Sequence, residues 1–130
     1  MRKHKKNIRR ESNVKPTTLE DVLSNKASTT SFREFLVSEF SSENLDFWLE
    51  CEEYKSLKPH KLKKVANQIY VEYLAPGADK QVNLDSRTKE LTWSRIATPS
   101  YATFDVAQTH IFNLMQTDSF TRYKRFCKLS

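Results

Sequence analysis

Apolar residues recur at helical spacing through almost the whole of this chain, and no segment alternates with period two for long enough to indicate a strand. The clearest helical pattern comprises Leu62, Val65, Ala66, Ile69, Tyr70 and Tyr73. A single glycine and four prolines in 130 residues argue against a loop-rich β-sandwich or barrel, and against a glycine-rich phosphate loop. The sequence therefore predicts a single all-α domain, a compact bundle of about eight or nine helices.

The basic residues are concentrated at the start of the chain. The net charge is +6, and the first ten residues hold six of the 22 Lys and Arg and no acid, so the remainder carries 16 charges of each sign. Residues 1–16 are predicted to form a disordered basic arm, and residues 17–130 the folded domain. Because no apolar run resembles a signal peptide or a membrane span, we expect a cytoplasmic protein.

Polar residues at the ends of the apolar patterns predict where the helices begin. Ser, Thr and Asp can accept hydrogen bonds from the free N–H groups of a first helical turn. The predicted caps are Thr17 or Thr18, Ser31 after a break at 26–30, Ser41 or Ser42, and Asp85-Ser86. A further break is predicted at Asp118-Ser119.

The helix that follows Ser42 is predicted to be the most buried, because it is apolar on more than one side. Phe47 and Trp48 are expected in the core. Cys51 falls within the same pattern and is interpreted as a core residue rather than a ligand or a nucleophile.

Residues for catalysis or metal binding are scarce. His4, His60 and His110 have no partner at metal-ligand spacing, and no hydrolase, metalloprotease or P-loop motif occurs. Glu50, Glu52 and Glu53 belong to an acidic run whose members point in different directions around a helix, which favours a solvated face over a two-carboxylate active site. We expect no metal, no cofactor and no reaction of the protein's own.

Three polar residues beside the helix breaks have no evident capping role: Asn44, Asn83 and Arg122. Capping alone accounts for neighbours such as Ser41, Asp85 and Ser119. The unexplained side chains are candidates for contact with a partner.

Four motifs in order resemble the regulator of G-protein signalling (RGS) domain family: SFREFLVSEFSSENLDFWLECEEYK, VNLDS, FDVAQTHIFNLM and DSFTR. The resemblance runs from about Leu19 to Phe126. It implies a nine-helix bundle in two lobes that activates the GTPase of heterotrimeric G-protein α subunits (Gα) and so terminates signalling.

The resemblance also implies which residues bind GTP-bound Gα, with Asn83 placed nearest the catalytic glutamine of the GTPase. The predicted contact residues are Phe40, Ser41, Glu43, Asn44, Asn83, Asp85, Ser86, Leu114, Asp118, Ser119 and Arg122. A Gα of the inhibitory or q type is the expected partner, bound by a monomer.

Two other functions remain open at this point. An RGS-like scaffold would bind some other partner without activating a GTPase, although Asn44 and Asn83 favour the activator. A nucleic-acid-binding protein is disfavoured because the globular part is neutral. The arm is either a contact with anionic lipid, which would place the protein at the inner face of the plasma membrane, or a solubilising tail or expression remnant.

Overall fold

The computed structural model describes residues 18–129, and within them every regular element is helical. The α-helices are α1 (Leu19–Leu23), α2 (Lys26–Ser38), α3 (Glu43–Tyr54), α4 (Leu62–Ile69), α5 (Ser86–Ala97), α6 (Asp105–Leu114) and α7 (Phe120–Leu129). A 3₁₀ turn (Pro59–Lys61) leads into α4, a π-helical turn (Tyr70–Leu74) extends it, and another (Met115–Ser119) joins α6 to α7. The all-α prediction is confirmed, but over 18–129 these elements form six continuous helical runs rather than about nine helices.

Two predicted helix caps are confirmed. Thr18 Oγ1 accepts a hydrogen bond from the Asp21 N–H at 3.0 Å, which caps α1. Asp85 Oδ1 accepts one from the Thr88 N–H at 2.7 Å, which caps α5. Thr17 and the arm lie outside the described residues.

The predicted start of the second helix at Ser31 is wrong. Asn25 caps α2 by accepting a hydrogen bond from the Ser28 N–H at 3.1 Å, so the helix already covers the segment that was read as a break. The hydroxyls of Ser28 and Thr29 donate to the carbonyl oxygen of Val22 at 2.7 and 2.8 Å. Because these hydroxyls bond to α1, they help to hold the corner between the two helices and do not interrupt α2.

The predicted break at Asp118-Ser119 is also wrong, because the π-helical turn carries the backbone through it. Met115 and Phe120, five positions apart, are both buried. A π-helical turn closes i→i+5 hydrogen bonds, so it accommodates an extra residue without ending the helix.

The described residues form two compact units, each with its own aromatic cluster. The terminal unit comprises residues 18–41 and 116–129. In it the Tyr123 ring lies 5.0 Å from that of Phe32 and 5.4 Å from that of Phe35, centroid to centroid. The Tyr123 hydroxyl is 2.8 Å from that of Ser31, so the polar end of this buried ring is satisfied.

The central unit, residues 42–115, is built around Phe47. The Phe47 ring is fully buried and meets those of Tyr73 and Phe104 edge to face, at 5.5 and 6.4 Å between centroids. Cys51 is 1% exposed, which confirms it as a core residue. Burial raises the pKa of its thiol, so the thiol stays protonated.

The prediction that Trp48 belongs to the core is wrong. Its side chain is only half-buried and lines a surface hollow of about 630 Å³ together with Tyr101 and Phe112. The apolar residues of α3 extend further around the helix than its core-facing side, so one aromatic ring lies at the edge of the packed interior.

Candidate functional site

The C-terminus of α2 ends in a Schellman motif that holds Phe40 outward. The Phe40 N–H donates to the Val37 carbonyl at 3.0 Å, and the Ser41 N–H donates to the Leu36 carbonyl at 2.9 Å. This geometry places Phe40 in the left-handed region at φ 56°, where glycine is the usual residue.

Phe40 combines an unfavourable backbone conformation with an exposed ring. Its side chain is 95% exposed, so burial within the chain does not offset the roughly 1–2 kcal/mol that the left-handed conformation costs a residue with a Cβ. Strained residues with exposed side chains are typical of contact sites. The Phe40 ring is therefore accessible to a partner, and its role in binding stays a prediction.

In the same unit Arg122 is held by two carboxylates. Its Nε and Nη2 donate to Glu39 Oε1 at 3.2 and 2.8 Å, and its Nη1 donates to Asp118 Oδ1 at 2.8 Å. The hydrogen bond to Glu39, and after it the one to Asp118, raises the pKa of Arg122, so its guanidinium stays charged. Arg122, Glu39 and Asp118 thus form a cluster of one cation and two carboxylates, which carries a net negative charge.

Among the predicted contact residues of the terminal unit, Ser119 is buried and Ser41 is half-buried. Ser119 is 6% exposed, which leaves its side chain little surface for a partner. Ser41 is half-buried, and its hydroxyl lies at the long distance of 3.5 Å from the Leu36 carbonyl oxygen. Their role in binding stays a prediction.

In the central unit Ser42 stands at the N-cap position of α3 without capping it, so the predicted serine cap is wrong. Its φ and ψ, −86° and −3°, are helical, and its hydroxyl donates to Asp46 Oδ2 at 3.2 Å. Glu43 and Asn44 occupy the first turn and are half-exposed. A carboxylate at Glu43 is favoured there by the positive end of the helix dipole.

Asn83 lies on a segment without regular secondary structure, and both of its neighbours are buried. Val82 is 4% and Leu84 7% exposed, and the Asn83 side chain between them is exposed. The Val82 N–H donates to the Tyr73 carbonyl at 3.0 Å. The burial of both neighbours and the hydrogen bond of Val82 anchor the backbone at Asn83, while its side chain faces solvent.

Asp85 and Ser86 follow on the same segment, and both are exposed. Hydrogen bonds from the side chain and the backbone of Thr88 lower the pKa of Asp85, which keeps its carboxylate ionised. That carboxylate is occupied in capping α5. Ser86 is the first residue of α5, and Leu114, half-buried, is the last residue of α6.

Lys80 links the start of α3 to the segment that carries Asn83. Its Nζ lies 3.3 Å from Asp46 Oδ2 and 4.0 Å from Glu72 Oε2, and its N–H donates to the Glu72 carbonyl at 3.2 Å. A hollow of about 340 Å³ lies between these two segments, lined by Ser42, Glu43, Ala78, Asp79, Lys80 and Gln81.

Within each unit the structure brings some of the predicted residues close together, but it does not place Leu114 beside the others. Arg122 lies beside Asp118 and next to the turn that holds Phe40, and the Glu43 segment lies beside the Asn83 segment. Sequence reasoning missed Glu39 and Lys80. Each pairs with a residue far along the chain, 83 and 34 positions away, and no local pattern indicates such a pairing.

Neither a metal site nor a membrane span is found within residues 18–129. This part of the chain has no group of three His, Cys, Asp or Glu residues that could hold a metal ion. It also has no helix that is both long enough and apolar enough to cross a bilayer.

Comparison with known proteins identifies the family. Residues 18–126 match the family model of the regulator of G protein signaling domain. The chain is 46% identical over 109 residues to Regulator of G-protein signaling 5 of Sus scrofa, and 43% over 105 residues to Regulator of G-protein signaling 8 of Danio rerio. These alignments cover 83% and 80% of this chain and 60% of each relative.

A third relative, Regulator of G-protein signaling 1 of Mus musculus, is 42% identical over 106 residues, which are 82% of this chain and 51% of that protein. The chain thus spans between half and three fifths of the length of these relatives. With an all-helical fold and a family match across nearly all of residues 18–129, the chain belongs to the regulator of G-protein signalling family.

Proposed function

We propose that this chain is a GTPase-activating protein for GTP-bound Gα, and that it ends signalling by accelerating GTP hydrolysis. The match of residues 18–126 to the RGS family carries this proposal. The exposed Phe40 ring and the exposed Asn83 side chain support it, because both side chains are available to a partner without rearrangement of the backbone.

The proposed mechanism is stabilisation of the Gα switch segments. A Gα subunit supplies its own catalytic arginine and a glutamine that orients the attacking water. A partner therefore needs only to hold the mobile switches in the arrangement of the transition state. The contacts would come from Phe40 and Arg122 in the terminal unit and from Asn44 and Asn83 in the central unit.

Arg122 suits a positioning role better than a catalytic one. Three of its N–H groups already donate to Glu39 and Asp118, and the cluster carries net negative charge. An arginine that enters a GTPase site must face the negative charge of the transferring phosphoryl group. Two carboxylates beside the guanidinium would oppose that approach.

Single-turnover GTP hydrolysis tests the proposal directly. Gα subunits of the inhibitory, q and stimulatory types are loaded with GTP, and hydrolysis is followed at increasing concentrations of the chain. We expect the rate to rise and saturate with an inhibitory or q-type Gα. Folded protein that accelerates no Gα, whether or not it binds one, would overturn the activator and favour the RGS-like scaffold that binds some other partner.

We further propose that the protein is a monomer at the cytoplasmic face of the plasma membrane, attached reversibly by the basic arm. Each Lys or Arg near an anionic leaflet contributes about 1 kcal/mol, and the first ten residues of the arm hold six. Sedimentation with phosphatidylserine vesicles tests the attachment. Deleting residues 1–10 or raising the salt concentration should reduce binding, and binding that neither change affects would contradict it.

A further inference from the structure

Glu39 makes the most extensive contact with Arg122, although it is not among the predicted contact residues. Both the Nε and the Nη2 of Arg122 donate to one oxygen of Glu39, at 3.2 and 2.8 Å. The two residues are 83 positions apart and belong to the same compact unit. Both side chains are about one third exposed, so the pair lies at the surface and is partly shielded from water.

Glu39 and Asp118 contact different nitrogens of the guanidinium. Asp118 reaches only Nη1, from one helical turn away, and its side chain is 74% exposed. Exposed pairs at i, i+4 contribute little and exchange readily with water. The guanidinium group of Arg122 is planar. Two hydrogen bonds from neighbouring nitrogens to one Glu39 oxygen therefore restrict the orientation of that plane more than the single bond to Asp118 does.

Glu39 also immediately precedes Phe40. Its N–H donates to the Leu36 carbonyl at 3.0 Å as part of the turn that ends α2. Its carboxylate therefore ties this turn to Arg122 of α7. One residue thus connects the left-handed Phe40 turn to the arginine of the predicted contact surface.

We propose that Glu39 is a positioning residue for Gα binding, acting by holding Arg122 and the Phe40 turn in the geometry that the partner meets. The inference rests on the proposed function. Loss of Glu39 weakens binding, because the free protein then samples other Arg122 orientations and only part of the population is competent to bind. The saturated hydrolysis rate is retained, because Glu39 acts through Arg122, which is assigned to association and not to the transition state.

A double-mutant cycle tests whether Glu39 acts through Arg122. The concentration that gives half-maximal acceleration is measured for the parent, Glu39→Ala, Arg122→Ala and the double variant. We expect Glu39→Ala to raise this concentration roughly three- to tenfold in the parent and to have little effect when Arg122 is already absent. Additive losses would mean that Glu39 contacts Gα independently, and no loss would mean that it has no role; either result overturns the proposal.

Conservative and control variants separate positioning from loss of folding. Glu39→Gln keeps a side-chain oxygen that can accept from Arg122 and should retain part of the affinity. Glu34→Ala removes an exposed glutamate from the same helix and should match the parent. Failure of the two Glu39 variants to retain the saturated rate, in proteins that melt like the parent, would contradict a positioning role.

The same cycle measured on unfolding separates this inference from the proposed function. If the parent accelerates no Gα, the function fails and the positioning role fails with it, yet the Glu39–Arg122 contact still appears as a coupling between the two substitutions in thermal unfolding. If the parent is active and the coupling appears in unfolding but not in Gα binding, the proposed function stands and the positioning role alone is overturned.

Discussion

Lys80 reaches Asp46 across 34 positions of the chain, with its Nζ 3.3 Å from a carboxylate that is almost completely buried. The pair joins the first turns of α3, which carry Glu43 and Asn44, to the segment that carries Asn83. Removing the cationic partner of a buried carboxylate destabilises the folded protein. The loss of stability is smaller where that partner is partly exposed, as Lys80 is.

Replacing Lys80 with Met should therefore lower the free energy of unfolding by about 1–2 kcal/mol. Urea denaturation measures this, with Lys64→Met as the control because Lys64 is exposed on α4. The variant should also accelerate hydrolysis less at saturation, since the Asn83 segment loses an anchor. Equal unfolding midpoints for the two variants would show that the pair contributes nothing.

Replacing Phe40 with Gly should separate stability from binding. The glycine removes the left-handed strain and loses almost no packing, because the ring is 95% exposed. Since glycine also gains entropy in the unfolded chain, the net gain in stability should be no more than about 1 kcal/mol. Gα binding should weaken because the ring is gone.

Phe40→Ala provides the matched comparison, since it removes the ring and keeps the strained backbone. It should bind Gα as weakly as the glycine variant and show no gain in unfolding temperature. Stronger Gα binding by the alanine variant would show that turn geometry matters beyond the ring, and normal binding by both would remove Phe40 from the contact set.

Asn83→Ala and Arg122→Ala should affect different steps of activation. Asn83→Ala should lower the saturated single-turnover rate, because the lost interaction is stronger in the transition state. Arg122→Ala should weaken association while much of the saturated rate remains. Asn67→Ala and Arg125→Ala make the same changes at exposed positions outside the predicted surface and should match the parent.

Reversed results for the two variants would require a different mechanism. If Arg122→Ala abolished acceleration at saturation while Asn83→Ala left it intact, an arginine acting in trans would replace switch stabilisation through Asn83.

Phe47→Ala should destabilise the protein far more than Trp48→Ala. Phe47 is fully buried among aromatic rings, and such truncations cost about 3–5 kcal/mol. Trp48 is half-buried at the edge of a hollow, so its loss should cost about 1–2 kcal/mol. Urea denaturation of both variants gives the comparison, and equal losses would place Trp48 in the core after all.

Glu50→Gln should stabilise the protein at neutral pH. Burial, followed by the charges of Glu72 and Glu53, raises the pKa of Glu50 above its ordinary value of 4.5. The folded state thus retains this proton to higher pH than the unfolded state, and stability falls as the pH rises from about 4.5 through the raised pKa.

Glutamine mimics the neutral form and escapes that loss. Urea denaturation should therefore show Glu50→Gln more stable than the parent at pH 7, with the two stabilities converging at pH 4. A constant difference across this range would rule out titration of Glu50 as the cause.

Local features of the sequence determined most of the helices. Helical periodicity depends on residues three and four positions apart, and the caps at Thr18 and Asp85 depend on backbone groups three positions away, so both can be read from short segments. The same local reasoning singled out Asn44 and Asn83, which cap nothing. It failed at Ser31 and at Asp118-Ser119, where polar residues lie within continuous helix.

Only the tertiary structure decided which distant side chains meet. The contacts of Glu39 with Arg122 and of Lys80 with Asp46 depend on how helices far apart in the chain pack within each unit. Trp48 is partly exposed for the same kind of reason, because only packing determines which part of a broad apolar face is covered. Spacing along a helix predicts which residues share a face, whereas burial and pairing depend on the neighbouring element that packs against it.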